Sequence, residues 1–158
     1  MLDKVCLTIV KQIQNNIRGR EIATAESCTG GMLATYLTAI AGSSEYFSTG
    51  IISYSNNAKI KLLNVNKKTL LQYGAVSEQV AGEMALGICQ IANSDIAISI
   101  TGLAGPSNDT TETPVGTICF ALADKNKLVS CTHYLKGDRN DIRSNACRIG
   151  LELILDIL

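Results

Sequence analysis

The run Asp95-Ile96-Ala97-Ile98-Ser99-Ile100-Thr101 constrains the architecture of this chain more than any other segment. It is short and apolar almost throughout, the pattern of a strand buried inside its sheet, and such strands need cover on both faces. A helical stripe of Val80, Met84, Ile88 and Ile91 precedes it, opened by Ser77 and Glu78. Ala81, Gly82 and Ala85 beside that stripe are small enough to let the helix approach a sheet closely. The turn residues Gly102-Leu103-Ala104-Gly105-Pro106 follow, and the polar stretch Ser107–Thr113 beyond them is the best candidate for a loop or lid.

The remaining segments alternate in the same way. Leu2, Val5, Ile9, Ile13 and Ile17 step by three or four and predict a helix ending near Arg18-Gly19. A strand at Ile22–Ala25 leads to a helix over Met32–Ile40, and a second strand covers Tyr46–Tyr54. Asn56 or Asn57 can cap a short helix through Lys59–Leu63, with another over Lys67–Tyr73. Val115–Ala123 and Leu128–Leu135 flank Lys125-Asn126 as a hairpin. Lys136-Gly137-Asp138-Arg139 opens a last helix carrying Ile142, Ala146, Ile149, Leu153 and Ile154. With no internal repeat or linker, residues 1–158 read as a single α/β domain, a three-layer α/β/α sandwich on a mixed sheet.

Charge and composition narrow the partners. Fourteen basic residues balance fourteen acidic ones without a Lys/Arg cluster, which argues against nucleic acid or an anionic membrane surface. Aromatic residues are 4% of the chain, too few for base-stacking platforms. No apolar run reaches the roughly 20 residues of a bilayer span, and Met1-Leu2-Asp3-Lys4 lacks a signal-peptide layout, so a cytoplasmic protein is expected. The six cysteines lie apart, mostly in apolar segments, and read as reduced thiols packed as small hydrophobes. His133 is the one histidine, set in an alternating strand-like run. It gives no metal-ligand spacing and leaves the histidine-based catalytic triads without a base.

Thr24-Ala25-Glu26-Ser27-Cys28-Thr29-Gly30-Gly31 places two nucleophile types where a strand stops and a helix starts. Amides in a first helical turn lack partners and favour an anion or a developing oxyanion. Without a histidine, the remaining base for Ser27 is a lysine, and Lys59 is better placed than Lys61 because Tyr54 precedes it by five residues. Ligands of open α/β sheets bind beyond strand C-terminal ends, so Ser27, Tyr54 with Lys59, and the Gly102–Pro106 loop would surround one pocket. The same residues also fit a plain helix cap, two solvated lysines on a helix face and a surface tyrosine. Taken alone they leave both readings open.

Seven ordered motifs tip that balance. The segments Thr24–Gly31, Ala41-Gly-Ser-Ser44, Tyr54-Ser-Asn-Asn-Ala-Lys59, Gly74-Ala-Val-Ser-Glu78, Thr101-Gly-Leu-Ala-Gly-Pro106, Pro114-Val-Gly-Thr117 and Gly137-Asp-Arg139 resemble the CinA C-terminal domain family over nearly the whole chain. Stand-alone members of that family are nicotinamide mononucleotide deamidases. The resemblance therefore implies amide hydrolysis giving nicotinic acid mononucleotide and ammonia, with no metal and no cofactor. It implies Ser27 as nucleophile, with Tyr54 and Lys59 completing the catalytic set, and Cys28 packed inward. Thr29, Gly30, Gly31, Thr101, Gly102 and Arg139 are the candidate substrate-binding residues. The amides near Thr29–Gly31 or Gly102 serve as oxyanion donors, and Arg139 partners a phosphate or carboxylate and lowers the Lys59 pKa. Self-association is a further expectation from the family. Asn57 departs from the glutamate common at that place. Two rival readings remain at this level: a binding module without turnover, linked to competence or damage pathways, and a serine amidase for another small carboxamide.

Overall fold

A computed structural model describes residues 2–106 and 112–158. Residues 107–111 of the expected loop or lid therefore lie outside the described residues. The central strands carry the logic of the fold in their alternation. Successive strand residues face opposite sides of a sheet. In β1 (Ile22–Glu26), β3 (Ile96–Gly102) and β4 (Thr117–Asp124) one side carries Ile22, Ile96, Ile98, Ile100, Ile118, Phe120 and Leu122. The other carries Ala23, Ala25, Ala97, Cys119, Ala121 and Ala123.

The bulky face meets three helices, α1 (Lys4–Asn16), α2 (Met32–Leu37) and α6 (Arg139–Asp156), which also pack on one another. The small face admits α5 (Glu78–Ala92) at close range, so that Ser99 Oγ on β3 donates to the Ala81 carbonyl at 2.6 Å. Two shorter helices, α3 (Asn56–Leu63) and α4 (Lys67–Tyr73), lie beside α5 in that layer. Gly87 is the pivot there, because a Cβ on it would sit 2.0 Å from the Leu63 carbonyl oxygen.

Among the described residues the sheet has five strands in the order β2-β1-β3-β4-β5, with β2 at Phe47–Ile52 and β5 at Leu128–Tyr134. β1 runs parallel to both neighbours, whereas β3–β4 and β4–β5 are antiparallel. The three-layer α/β/α sandwich on a mixed sheet and its late hairpin are thus as expected. Because β2, β1 and β3 are adjacent and parallel, their C-terminal ends open on one side of the domain. No helix among the described residues is long and apolar enough to cross a membrane.

Several local expectations need correction. Val5 and Ile91 are exposed, while Cys6 and Val10 join Ile9 and Ile13 in the buried stripe of α1, and Ile17 is buried at its C-cap. Neither Asn56 nor Asn57 caps α3; Ser55 does, accepting the Ala58 amide, and both asparagines are helical. The helix expected to reach Ile40 stops at Leu37, and β2 is shorter than Tyr46–Tyr54 at both ends. Asp138 caps α6 and Asp141 returns the bond to its backbone, which fixes Arg139 as the first helical residue.

Candidate active site

The turn that carries Ser27 is built at the end of the central parallel strand. The Ser27 amide extends the β1–β3 ladder by donating to the Ile100 carbonyl at 2.9 Å, and the Ser53 amide extends β1–β2 by donating to the Glu26 carbonyl at 2.8 Å. Ser27 and Ser53 are thereby fixed side by side, both buried. Five residues beyond Tyr54, α3 delivers Lys59 into the same place. Its Nζ lies 2.9 Å from Ser27 Oγ and donates to the Ser53 carbonyl at 2.8 Å.

Lys59 is 2% exposed, and neither ion pair among the described residues includes it. Taking an ammonium out of water without a carboxylate partner favours the neutral amine. Burial accordingly lowers the Lys59 pKa from 10.5 to about 8, opposed by the neighbouring Cys28. Arg139 is not among the causes, so the expected role of its charge in this shift is replaced by desolvation. A neutral Lys59 can donate to Ser53 and still offer a lone pair to the Ser27 hydroxyl. Any reaction that uses it as the base should lose rate about tenfold per pH unit below about pH 8. A profile of kcat/KM between about pH 6 and pH 9 checks this; a flat acidic limb would contradict it.

Cys28 is 6% exposed and burial pushes its thiol up to about 12. The thiolate that would make it the better nucleophile is therefore scarce at neutral pH. Its inward packing is as expected. His133 is remote in role: its ring meets the edge of Phe120 on the adjoining strand, with centroids 5.5 Å apart.

The other expected residues fall into separate arrangements. The Tyr54 hydroxyl accepts a 2.8 Å hydrogen bond from Arg139 Nη2, and Arg139 Nη1 donates to the Gly105 carbonyl. This exposed pair joins the end of β2, the loop after β3 and the start of α6 at the rim, while the Lys59 amine bonds to Ser27 and Ser53 beneath. The Thr101 hydroxyl is engaged with the Ala75 carbonyl at 2.8 Å. Gly102 allows close approach of strands, since a Cβ there would lie 2.7 Å from the Thr117 carbonyl oxygen.

Glu26 is the residue whose role the sequence concealed. Its carboxylate, 1% exposed, accepts the amides of Gly31, Leu33 and Ala34 at 2.9–3.1 Å. The start of α2 is thus occupied by the protein's own anion, which removes it as a site for a substrate anion. The Gly30 amide donates to the Ser27 carbonyl. Gly30 and Gly31 therefore have no spare donors, contrary to expectation, whereas the Cys28 and Thr29 amides donate to no other described residue. The Thr29 and Ser53 hydroxyls are likewise buried without a described partner. The signal for Glu26 was available: a carboxylate ending an otherwise apolar strand needs partners, and a helix start a few residues later supplies amides.

The fold and site define an α/β protein with a buried serine–lysine pair beyond the C-terminal ends of parallel strands. The chain belongs to the CinA C-terminal domain family, whose model matches residues 3–158. It is 46% identical over 139 residues to the nicotinamide-nucleotide amidohydrolase PncC of Enterobacter agglomerans, covering 87% of this chain and 85% of that protein. It is 41% identical to a CinA-like protein of Syntrophomonas wolfei across 98% of this chain, but spans only 41% of that longer relative. Among solved structures, a competence-damaged protein (CinA) superfamily protein from Escherichia coli superposes with a TM-score of 0.94 at 33% identity, covering 100% of this chain and 94% of that one.

Proposed function

We propose that this protein is a cytoplasmic amidohydrolase that converts nicotinamide mononucleotide and water to nicotinic acid mononucleotide and ammonia through an acyl-serine. The observation that carries the reading is the Ser27–Lys59 pair, 2.9 Å apart, buried, and with the amine pKa lowered to about 8. The similarity to the Enterobacter amidohydrolase supplies the substrate class.

Lys59 takes the Ser27 proton directly, across the contact already present. Ser27 Oγ attacks the carboxamide carbon, and the electron pair of the C=O bond moves to oxygen. The open Cys28 and Thr29 amides are the donors available to that oxyanion. As the tetrahedral intermediate collapses, the C–N bond breaks and the Lys59 proton leaves with the nitrogen as ammonia. Water then loses a proton to Lys59, attacks the ester, and returns Ser27 with the carboxylate product. Tyr54 and Arg139 at the rim contribute to binding, with the guanidinium of Arg139 facing the substrate phosphate. The direct 2.9 Å route favours Lys59 alone as the base over a relay through Tyr54.

The test compares ammonia release from nicotinamide mononucleotide, nicotinamide and unrelated small carboxamides. Selective turnover of the mononucleotide is the expected result. Equal or better turnover of another amide would replace the substrate, and binding of the nucleotide without any ammonia would make the site a binding module.

A further inference from the structure

Arg143 lies one helical turn beyond Arg139 on α6, half-buried, and its guanidinium faces the nucleophile turn instead of solvent. Nε donates to the Cys28 carbonyl at 3.1 Å and Nη2 to the Thr29 carbonyl at 2.9 Å. This two-point grip suits the planar fork of arginine, which holds two acceptors in a fixed mutual geometry. Apart from the Ser27 hydroxyl, which meets Lys59 Nζ, the other engaged polar groups of residues 26–31 are tied within the turn, to its strand neighbours, to α2 or to the Glu26 cap. Arg143 is thus the side chain that grips the backbone of the turn from α6.

The consequence follows from the planarity of the peptide. In a trans unit the C=O and the next N–H point in opposite directions. Gripping the Cys28 carbonyl from α6 turns the Thr29 N–H away from α6, and α3, which carries Lys59, lies in the layer on the opposite face of the sheet. A cationic donor on the carbonyl also polarises the unit and strengthens its N–H as a donor. We propose that Arg143 is a positioning residue that fixes the Cys28–Thr29 peptide so that its N–H meets the oxyanion formed when Ser27 attacks. The proposal rests on the acyl-serine reading above.

The experiment uses wild type, Arg143→Ala and Arg143→Lys with two readouts. One is kcat and KM for ammonia release from nicotinamide mononucleotide. The other is the rate at which a rhodamine-linked fluorophosphonate labels Ser27, which needs the nucleophile, base and oxyanion donors but no nucleotide recognition. Loss of one oxyanion donor costs about 10²–10³-fold in turnover. For Arg143→Ala the expected result is a kcat fall of about 10²-fold with KM within about twofold, and a parallel fall in labelling. Arg143→Lys keeps the charge but not the fork, so it is expected to recover only part of the loss, and it decides the matter if the alanine variant does not fold. Wild-type labelling rates in the folded variants, or a raised KM with unchanged kcat, would overturn the proposal. If wild type labels at Ser27 without hydrolysing the nucleotide, the substrate reading fails, and the labelling ratio still decides Arg143. A wild type that does not label at Ser27 overturns the proposal along with the nucleophile.

Discussion

Replacing Ser27 by alanine is expected to lower kcat for ammonia release from nicotinamide mononucleotide by about 10⁴-fold or more, the size of effect seen when an acyl-transfer nucleophile is removed. Cys28→Ala should keep activity within about tenfold, since the thiol is buried and its pKa is pushed up to about 12. The pair of variants matters because the two side chains are adjacent and chemically competent in principle. Ser27 is distinguished by its partner, an amine at 2.9 Å. Steady-state rates of the two variants, with thermal unfolding as a control for folding, check the assignment. An inactive Cys28→Ala beside an active Ser27→Ala would reverse it.

Lys59→Met carries the second large effect, and it moves activity and stability in opposite directions. Removing the proposed general base should lower kcat/KM by about 10³-fold and abolish the acidic limb near pH 8. The stability sign follows from proton linkage. The unfolded chain holds the Lys59 proton up to about 10.5 and the folded chain only up to about 8. Between those values the folded state binds fewer protons, so wild-type stability rises with pH. Below about 8 the folded chain carries the full cost of a buried ammonium. Methionine fills similar volume without that charge, so the variant should melt higher than wild type at neutral pH. The difference should shrink as pH climbs from about 8 toward 10.5. Melting curves across that range check the prediction, and a variant less stable than wild type at pH 7 would contradict it.

The legible and illegible parts of this protein divide along sequence distance. The apolar run over Ile96–Ile100, the Ser77 and Asp138 caps and the hairpin about Lys125-Asn126 are local signals, and each is found where its chemistry places it. Periodicity failed where residue type and orientation diverge. Val5 is apolar but points outward, while Cys6 at the next position takes the buried place. The Ser27–Lys59 meeting joins residues 32 apart, and it was anticipated from the lack of a histidine base, the convergence of strand ends and above all the family resemblance. The Arg143 grip on Cys28 joins residues 115 apart, and the Tyr54–Arg139 pair residues 85 apart. Such contacts depend on how α6 crosses the sheet, which no local pattern reports. Glu26 was hidden differently: it was read only as part of the Thr24–Gly31 motif, whereas its position at a buried strand end made its carboxylate the acceptor for the amides that open α2.

The acyl-serine itself can be trapped and weighed. Wild-type protein turning over nicotinamide mononucleotide is quenched in acid, digested, and its peptides weighed. A nucleotide acyl group, the substrate less ammonia, is expected on Ser27 of the peptide that contains Glu26-Ser27-Cys28. The same adduct on Cys28, with Ser27 unmodified, would contradict it.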